Sequence, residues 1–134
     1  MNPTPRTLTF VAPVFRVTQL SRTIAYYREK LGFDLEFCYE GFYASVCREG
    51  CHVHLQCASP TPRDQLAFER AEHIDACFVV QAIEGLWTSI ASVGAATTVP
   101  LRKMPYGKEF YIRDPDGYIL GFIEPVASEG ESNA

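Results

Sequence analysis

No run of apolar residues in this chain is long enough to span a bilayer, so a membrane-embedded protein is not expected. An excess of basic charge is missing too: 12 Lys and Arg stand against 16 Asp and Glu, for a net charge of -4. With no basic stripe, neither nucleic acid nor a membrane surface is an expected partner. The first residues, Met1-Asn2-Pro3-Thr4-Pro5-Arg6-Thr7, are polar and lack the apolar stretch of a secretion signal. Cysteine is present but odd in number, at Cys38, Cys47, Cys51, Cys57 and Cys77. Without a signal this reads as reduced thiols in the cytoplasm rather than a disulfide framework. There is no glycine-rich loop to cradle phosphate, no Ser-His-Asp spacing, and no cysteine that stands out as a nucleophile.

What is present suits one folded domain. The 134 residues are 47% hydrophobic and 21% charged, enough for a core under an ordinary polar surface. Residues 8–17 read as a strand. Leu20, Ile24, Tyr27 and Leu31 then recur at helical spacing up to Gly32, with Thr18 or Ser21 as the cap. Phe33, Leu35, Phe37 and Tyr39 alternate on one side of a second strand. Residues 42–47 and 51–57 read as a hairpin about Arg48-Glu49-Gly50. A polar connector, 58–73, holds Pro60 and Pro62, with a short helix predicted within 64–71.

The order of elements then repeats. Residues 74–81 read as a strand, Ile83, Trp87, Ile90 and Val93 as a helical stripe closed by Gly94, and 97–101, 109–113 and 118–124 as strands. Val17, Leu20, Ile24 and Tyr27 recur as Val80, Ile83, Trp87 and Ile90, each 63 residues later. The expected class is α+β: two βαβββ modules, 8–57 and 74–125, forming a curled mixed sheet around a cleft. They make a single domain over 8–125, followed by a disordered tail at 126–134.

The most informative stretch is Pro105-Tyr106-Gly107-Lys108-Glu109-Phe110-Tyr111-Ile112-Arg113-Asp114-Pro115-Asp116-Gly117-Tyr118. In its Asp-Pro-Asp-Gly turn, Asp caps its own backbone, Pro presets φ, and Gly accepts positive φ. Two further segments are Arg16-Val17-Thr18-Gln19-Leu20 leading to Ala25-Tyr26-Tyr27-Arg28-Glu29-Lys30-Leu31-Gly32-Phe33, and the hairpin over 43–55. Together they resemble the glyoxalase/bleomycin-resistance superfamily, the vicinal oxygen chelate proteins, over roughly residues 8–125. The resemblance implies the two-module fold and a homodimer with clefts at or near its two-fold interface.

Metal-dependent relatives place His, Glu or Gln ligands on four strands. Mapped residue by residue, those positions fall on Ala12, near His54, on Asp75 and on Gly121. Ala12 and Gly121 offer no side-chain donor. His54 and Asp75 are left as the candidate metal ligands, fewer than the three a Lewis-acid site keeps. The resemblance therefore implies a metal-free protein with no cofactor, akin to bleomycin- and antibiotic-resistance members. It would sequester a small-molecule ligand, aromatic or cationic. The alternative is a metal-dependent glyoxalase-like lyase or isomerase, or an extradiol-type dioxygenase, with a divalent metal at His54, Asp75 and a third ligand. A third reading is a metal-free enzyme with His54 or Glu109 as general base.

The candidate ligand-binding residues are His54, Tyr106, Glu109, Tyr111, Phe37 and Asp75. His52, His54 and Gln56 share a strand face, and Cys51, Val53, Leu55 and Cys57 take the opposite, core face. Cys47, Cys51, His52 and His54 thus straddle the sheet and make no zinc site. Free cysteines are commonly small buried hydrophobes. Tyr106 either stacks a planar or cationic ligand or pins the hairpin. Glu109, Tyr111 and Arg113 form one alternating face, read either as a solvated strand or as cleft lining. Glu124 is a rim residue, and His73 reads as a surface residue.

Overall fold

The computed structural model describes residues 4–127, so most of the predicted tail, 128–134, lies outside the described residues. Elements run β1 (Val14–Val17), α1 (Leu20–Glu29), β2 (Asp34–Tyr39), β3 (Tyr43–Arg48), β4 (Cys51–Cys57), α2 (Gln65–Arg70), β5 (Ala76–Val79), α3 (Ile83–Ser92), β6 (Ala96–Met104), β7 (Gly107–Arg113) and β8 (Ile119–Pro125). The chain divides between Thr61 and Pro62 into two units. Each builds its own four-stranded mixed sheet, in the order β1-β4-β3-β2 and β5-β8-β7-β6. In each, the first strand runs parallel to the last and the others are antiparallel. This is the βαβββ order predicted, repeated, with α2 inserted ahead of the second copy.

Each helix covers one face of its sheet. In the first unit Phe15, Val17, Ala44, Val46, Val53 and Leu55 are buried with Leu20 and Tyr27 of α1. Burying each larger aliphatic side chain contributes roughly 1.5–3 kcal/mol. In the second unit Phe110, Ile112, Leu120 and Phe122 are buried with Ile83 and Ile90 of α3. Trp87 lies 5.1 Å from Phe110, and Phe110 stacks on Phe122 at 4.8 Å. The faces turned away from the helices carry the remaining chemistry.

The turns follow their sequences. Glu49 and Gly50 both have positive φ (50° and 81°), the geometry of a two-residue hairpin loop. Asp114 Oδ1 accepts from the Asp116 and Tyr118 amides at 2.9 and 3.0 Å. Gly107 has φ 148°, and a Cβ there would collide with the Glu124 carbonyl oxygen, so no other residue fits without moving backbone. Asp64 caps α2 by accepting from the Ala67 amide at 3.1 Å.

Four local expectations are corrected. The strand predicted over 8–17 begins only at Val14, because Pro13 has no N–H for the ladder; its carbonyl accepts from the His54 amide at 2.9 Å. The cap of α1 is Gln19, without a side-chain bond, rather than Thr18 or Ser21. Cys51 and Cys57 are exposed at the ends of β4, while Val53 and Leu55 between them are buried. The alternation in β2 is broken by a bulge: Leu35 pairs Val46 and Phe37 pairs Ser45, leaving Glu36 as the extra residue. Leu35 and Phe37 therefore take opposite faces.

Candidate functional site

In the first unit, Pro13 and the short β1 bring Val14 opposite His54, while β3 puts Ser45 on the other side of His54. Tyr43, Ser45 and Cys47 of β3 alternate on the same face, as do His52, His54 and Gln56 of β4. The bulge adds both Phe37 and Glu36 to that face. His54 is ringed by aromatics, with centroids of Tyr43, Phe37 and Phe10 at 5.4, 5.9 and 6.2 Å. The Tyr43 hydroxyl and His54 Nδ1 are 2.8 Å apart and hydrogen-bonded, whereas His54 Nε2 is buried without a partner among the described residues. Phe37 and Phe10 stay 43% and 53% exposed, unusual for large apolar rings.

Beside this aromatic cluster lies a second group. Phe10 stacks on His52 at 3.9 Å, with the planes 20° apart. His52 Nδ1–H donates to Glu36 Oε1 at 3.2 Å, and the same oxygen accepts from Ser45 Oγ at 2.7 Å. The Ser45 hydroxyl, ahead of the His52 contact, holds the Glu36 carboxyl below the usual carboxylate range. Cys47 Sγ lies 3.9 Å from the other His52 nitrogen, Nε2.

The second unit treats its polar groups differently. Glu109 is completely buried, and Arg102 Nε donates to its Oε2 at 2.8 Å. Tyr106 and Tyr111 hydroxyls donate to Oε1 at 2.6 and 3.1 Å. Arg102 also grips Glu72 with two bonds of 3.0 and 2.7 Å. Burial and then the hydrogen bond to Glu109 push the Tyr111 phenol up to about 12. The bond to Glu109 likewise raises Tyr106, whose ring remains partly exposed. α2 lies over this face: Phe68 packs with Ile74 on Val99, Tyr111 and Ile119, and Glu69 pairs with Arg113 at 2.9 Å.

Asp75, just ahead of β5, accepts two bonds from Arg63 (3.1 and 3.0 Å), one from His73 (3.0 Å) and one from the Ile119 amide (2.8 Å). Burial pushes its carboxyl up, but Arg63, the Ile119 amide and His73 outweigh burial and hold it below the usual range. Those bonds use the lone pairs a metal would need. Gly121 is filled from above by Ile74, whose Cδ1 would sit 3.0 Å from any added Cβ. Ala12 precedes β1. The family's ligand positions, Ala12, His54, Asp75 and Gly121, thus supply one side chain with an unclaimed donor, and a divalent ion does not fit that set.

The six sequence candidates fall into two sets, one per unit. Phe37 and His54 meet on the first face. Tyr106, Glu109 and Tyr111 form one network in the second unit, where Asp75 anchors a separate one. His73, read as a surface residue, is an Asp75 partner with its ring against Phe68 at 4.6 Å. Glu124, read as a rim residue, accepts from the Ile83 amide at 2.8 Å and so closes the N-terminus of α3. Sequence reasoning missed Glu36 and Cys47. Cys47 was legible: in a hairpin closed by Glu49-Gly50, residues 47 and 52 must pair, and they do. Cys51 does lie on the opposite face, but Cys47, His52 and His54 share one. Nothing in the alternation announced the bulge that delivers Glu36.

Three comparisons bear on this site. The glyoxalase/bleomycin resistance protein/dioxygenase superfamily profile matches residues 9–122. Among curated proteins none matches the sequence. Among solved structures, the bleomycin-binding protein of bleomycin-producing Streptomyces verticillus, complexed with copper(II)-bleomycin, is similar at TM-score 0.68 and 20% identity, covering 92% of this chain and 100% of that one. An antibiotic-binding protein from a Streptomyces species gives 0.65 and 17%, covering 93% and 100%. A lactoylglutathione lyase from Agrobacterium tumefaciens gives 0.64 and 15%, covering 90% and 95%. At these identities the likeness is one of fold.

Proposed function

This chain belongs to the glyoxalase/bleomycin resistance protein/dioxygenase superfamily, and from that premise we propose that it is a metal-free small-molecule-binding protein acting by sequestration. Its ligand is flat and aromatic, and it lies on the open sheet face of the first unit. The observation that carries this reading is the set of Phe10, Phe37 and Tyr43 around His54, whose Nε2 is buried and unpartnered. A buried polar atom without a partner costs about 1–3 kcal/mol, which a ligand polar group recovers on binding. The exposed rings recover apolar area at the same moment.

The antibiotic-binding neighbours support a small-molecule ligand, and the engagement of Asp75 supports independence from metal. In this reading the protein works as a cytoplasmic homodimer, in keeping with five free thiols and with exposed apolar side chains such as Leu8, Val11 and Phe42. No described helix is long and apolar enough to cross a membrane.

The test is calorimetric titration with acridine orange, a planar aromatic cation, and with neutral anthraquinone, each with and without excess EDTA. Saturable binding unaffected by EDTA is expected, weakened about tenfold by Phe37→Ala. Binding that requires added Zn, Ni, Mn or Fe(II), or that ignores both Phe37→Ala and His54→Ala, overturns the proposal.

A further inference from the structure

Glu36, His52 and Cys47, from three adjacent strands, gather on the open face of the first unit, with one polar or sulfur atom of each within 4.8 Å of the others. The acid addresses one ring nitrogen of His52 and the thiol addresses the other. Glu36, kept as a carboxylate by Ser45, holds the proton on His52 Nδ1. With the proton on Nδ1, the opposite nitrogen, Nε2, carries a free lone pair, and Cys47 Sγ lies 3.9 Å from it. This is the general arrangement of a nucleophile, its base and the group that orients the base. Phe10 covers the imidazole, and the His52 side chain is only 11% exposed, so water competes little for it.

We propose that Cys47 is a nucleophile, with His52 as its base and Glu36 as the positioning residue. It captures flat conjugated electrophiles, α,β-unsaturated carbonyl compounds or quinones, as covalent adducts. The step balances without any oxidant. The Cys47 proton passes to His52 Nε2, and sulfur bonds to the β-carbon. The C=C electron pair shifts onto the carbonyl oxygen as an enolate. His52 then returns the proton to the α-carbon. Nothing leaves; S–H is added across C=C. The ligand class rests on the aromatic face of the proposed function; the activation of the thiol does not.

The protein supplies its own controls. Cys38, Cys51, Cys57 and Cys77 are exposed and Cys47 is less so, so accessibility alone ranks Cys47 below those four. The experiment follows alkylation of the intact protein by iodoacetamide and by N-phenylmaleimide, reading each cysteine by peptide mass spectrometry. Cys47 is expected to react at least about tenfold faster than the four exposed thiols with both reagents. His52→Gln should remove that advantage and Glu36→Gln reduce it, while Cys38, Cys51 and Cys57 keep their rates, which certifies the fold of each variant.

The two reagents separate this inference from the reading it extends. An advantage with iodoacetamide, which has no ring, upholds the activated thiol even if no aromatic ligand binds. An advantage confined to N-phenylmaleimide that survives His52→Gln overturns the inference and leaves the aromatic face intact. A Cys47 slower than its neighbours overturns it as well. So does one retained zinc per chain that shields Cys47 and is lost in His52→Gln, since that would make the trio a metal site.

Discussion

The two units share a topology and differ in what they do with polar groups on the face away from the helix. In the second unit nearly every such group named here is spent inside the chain. Glu109 meets Arg102 and two phenols, Asp75 meets Arg63, His73 and a backbone amide, and α2 roofs the strands with Phe68. In the first unit no helix is inserted, the rings of Phe10 and Phe37 stay exposed, and His54 Nε2 and Cys47 are turned to the same face. The same fold thus yields a clamp in one copy and an open surface in the other. The determinant is whether the chain itself provides partners, because a buried carboxylate left unpaired is too costly to keep.

The sharpest way to break this comparison is to remove one charge from each unit. Glu109→Gln should cost about 3 kcal/mol, seen as a lowered urea midpoint, because it leaves Arg102 facing a neutral amide in a buried network. Glu36→Gln, on the open face, should leave the midpoint where it is. Equal shifts in the two variants would erase the distinction between clamp and surface.

Asp75 gives the next largest effect, about 2 kcal/mol for Asp75→Asn at neutral pH. Its carboxyl titrates lower when folded than the unfolded value of about 3.9, so its contribution is complete above that pH and is lost as pH falls through the lowered folded value. Urea midpoints taken from pH 7 down to 2 should fall steeply for the wild type and more gently for Asp75→Asn. Parallel curves would refute the anchoring role.

The smallest effect is spectroscopic. Tyr111 should ionise near pH 12, above the value of about 10 for a free phenol, when absorbance at the phenolate band is followed during alkaline titration. With its folded value raised, its stabilisation is full below about pH 10 and drains as pH climbs toward 12. Glu109→Gln should draw this late step back toward the ordinary range. Its persistence in that variant would assign the shift to burial alone.

Much of the architecture was legible because it rests on local rules. The Asp114-Pro115-Asp116-Gly117 turn, the Glu49-Gly50 loop, the short helix within 64–71 and the helical stripes each express a short-range preference that nothing overrides. The doubled βαβββ order followed from the recurring spacing of apolar residues. The site was less legible, for two physical reasons. Partner choice across strands decides whether Glu109 and Asp75 are ligand groups or internal anchors, and alternation carries no information on partners. The position of Glu36 depends on an irregularity in the β2–β3 ladder, which a period-two pattern cannot encode.

That irregularity has a consequence at the level of the gene. Leu35 opposite Val46 and Phe37 opposite Ser45 are already successive rungs, and Cys38 and Tyr39 continue opposite Ala44 and Tyr43. Glu36 is therefore a supernumerary residue that one codon can add or delete while every neighbour keeps its rung. A lineage bearing this strand can gain or shed its carboxylate in a single insertion or deletion event, with the aromatic surface passed on unchanged.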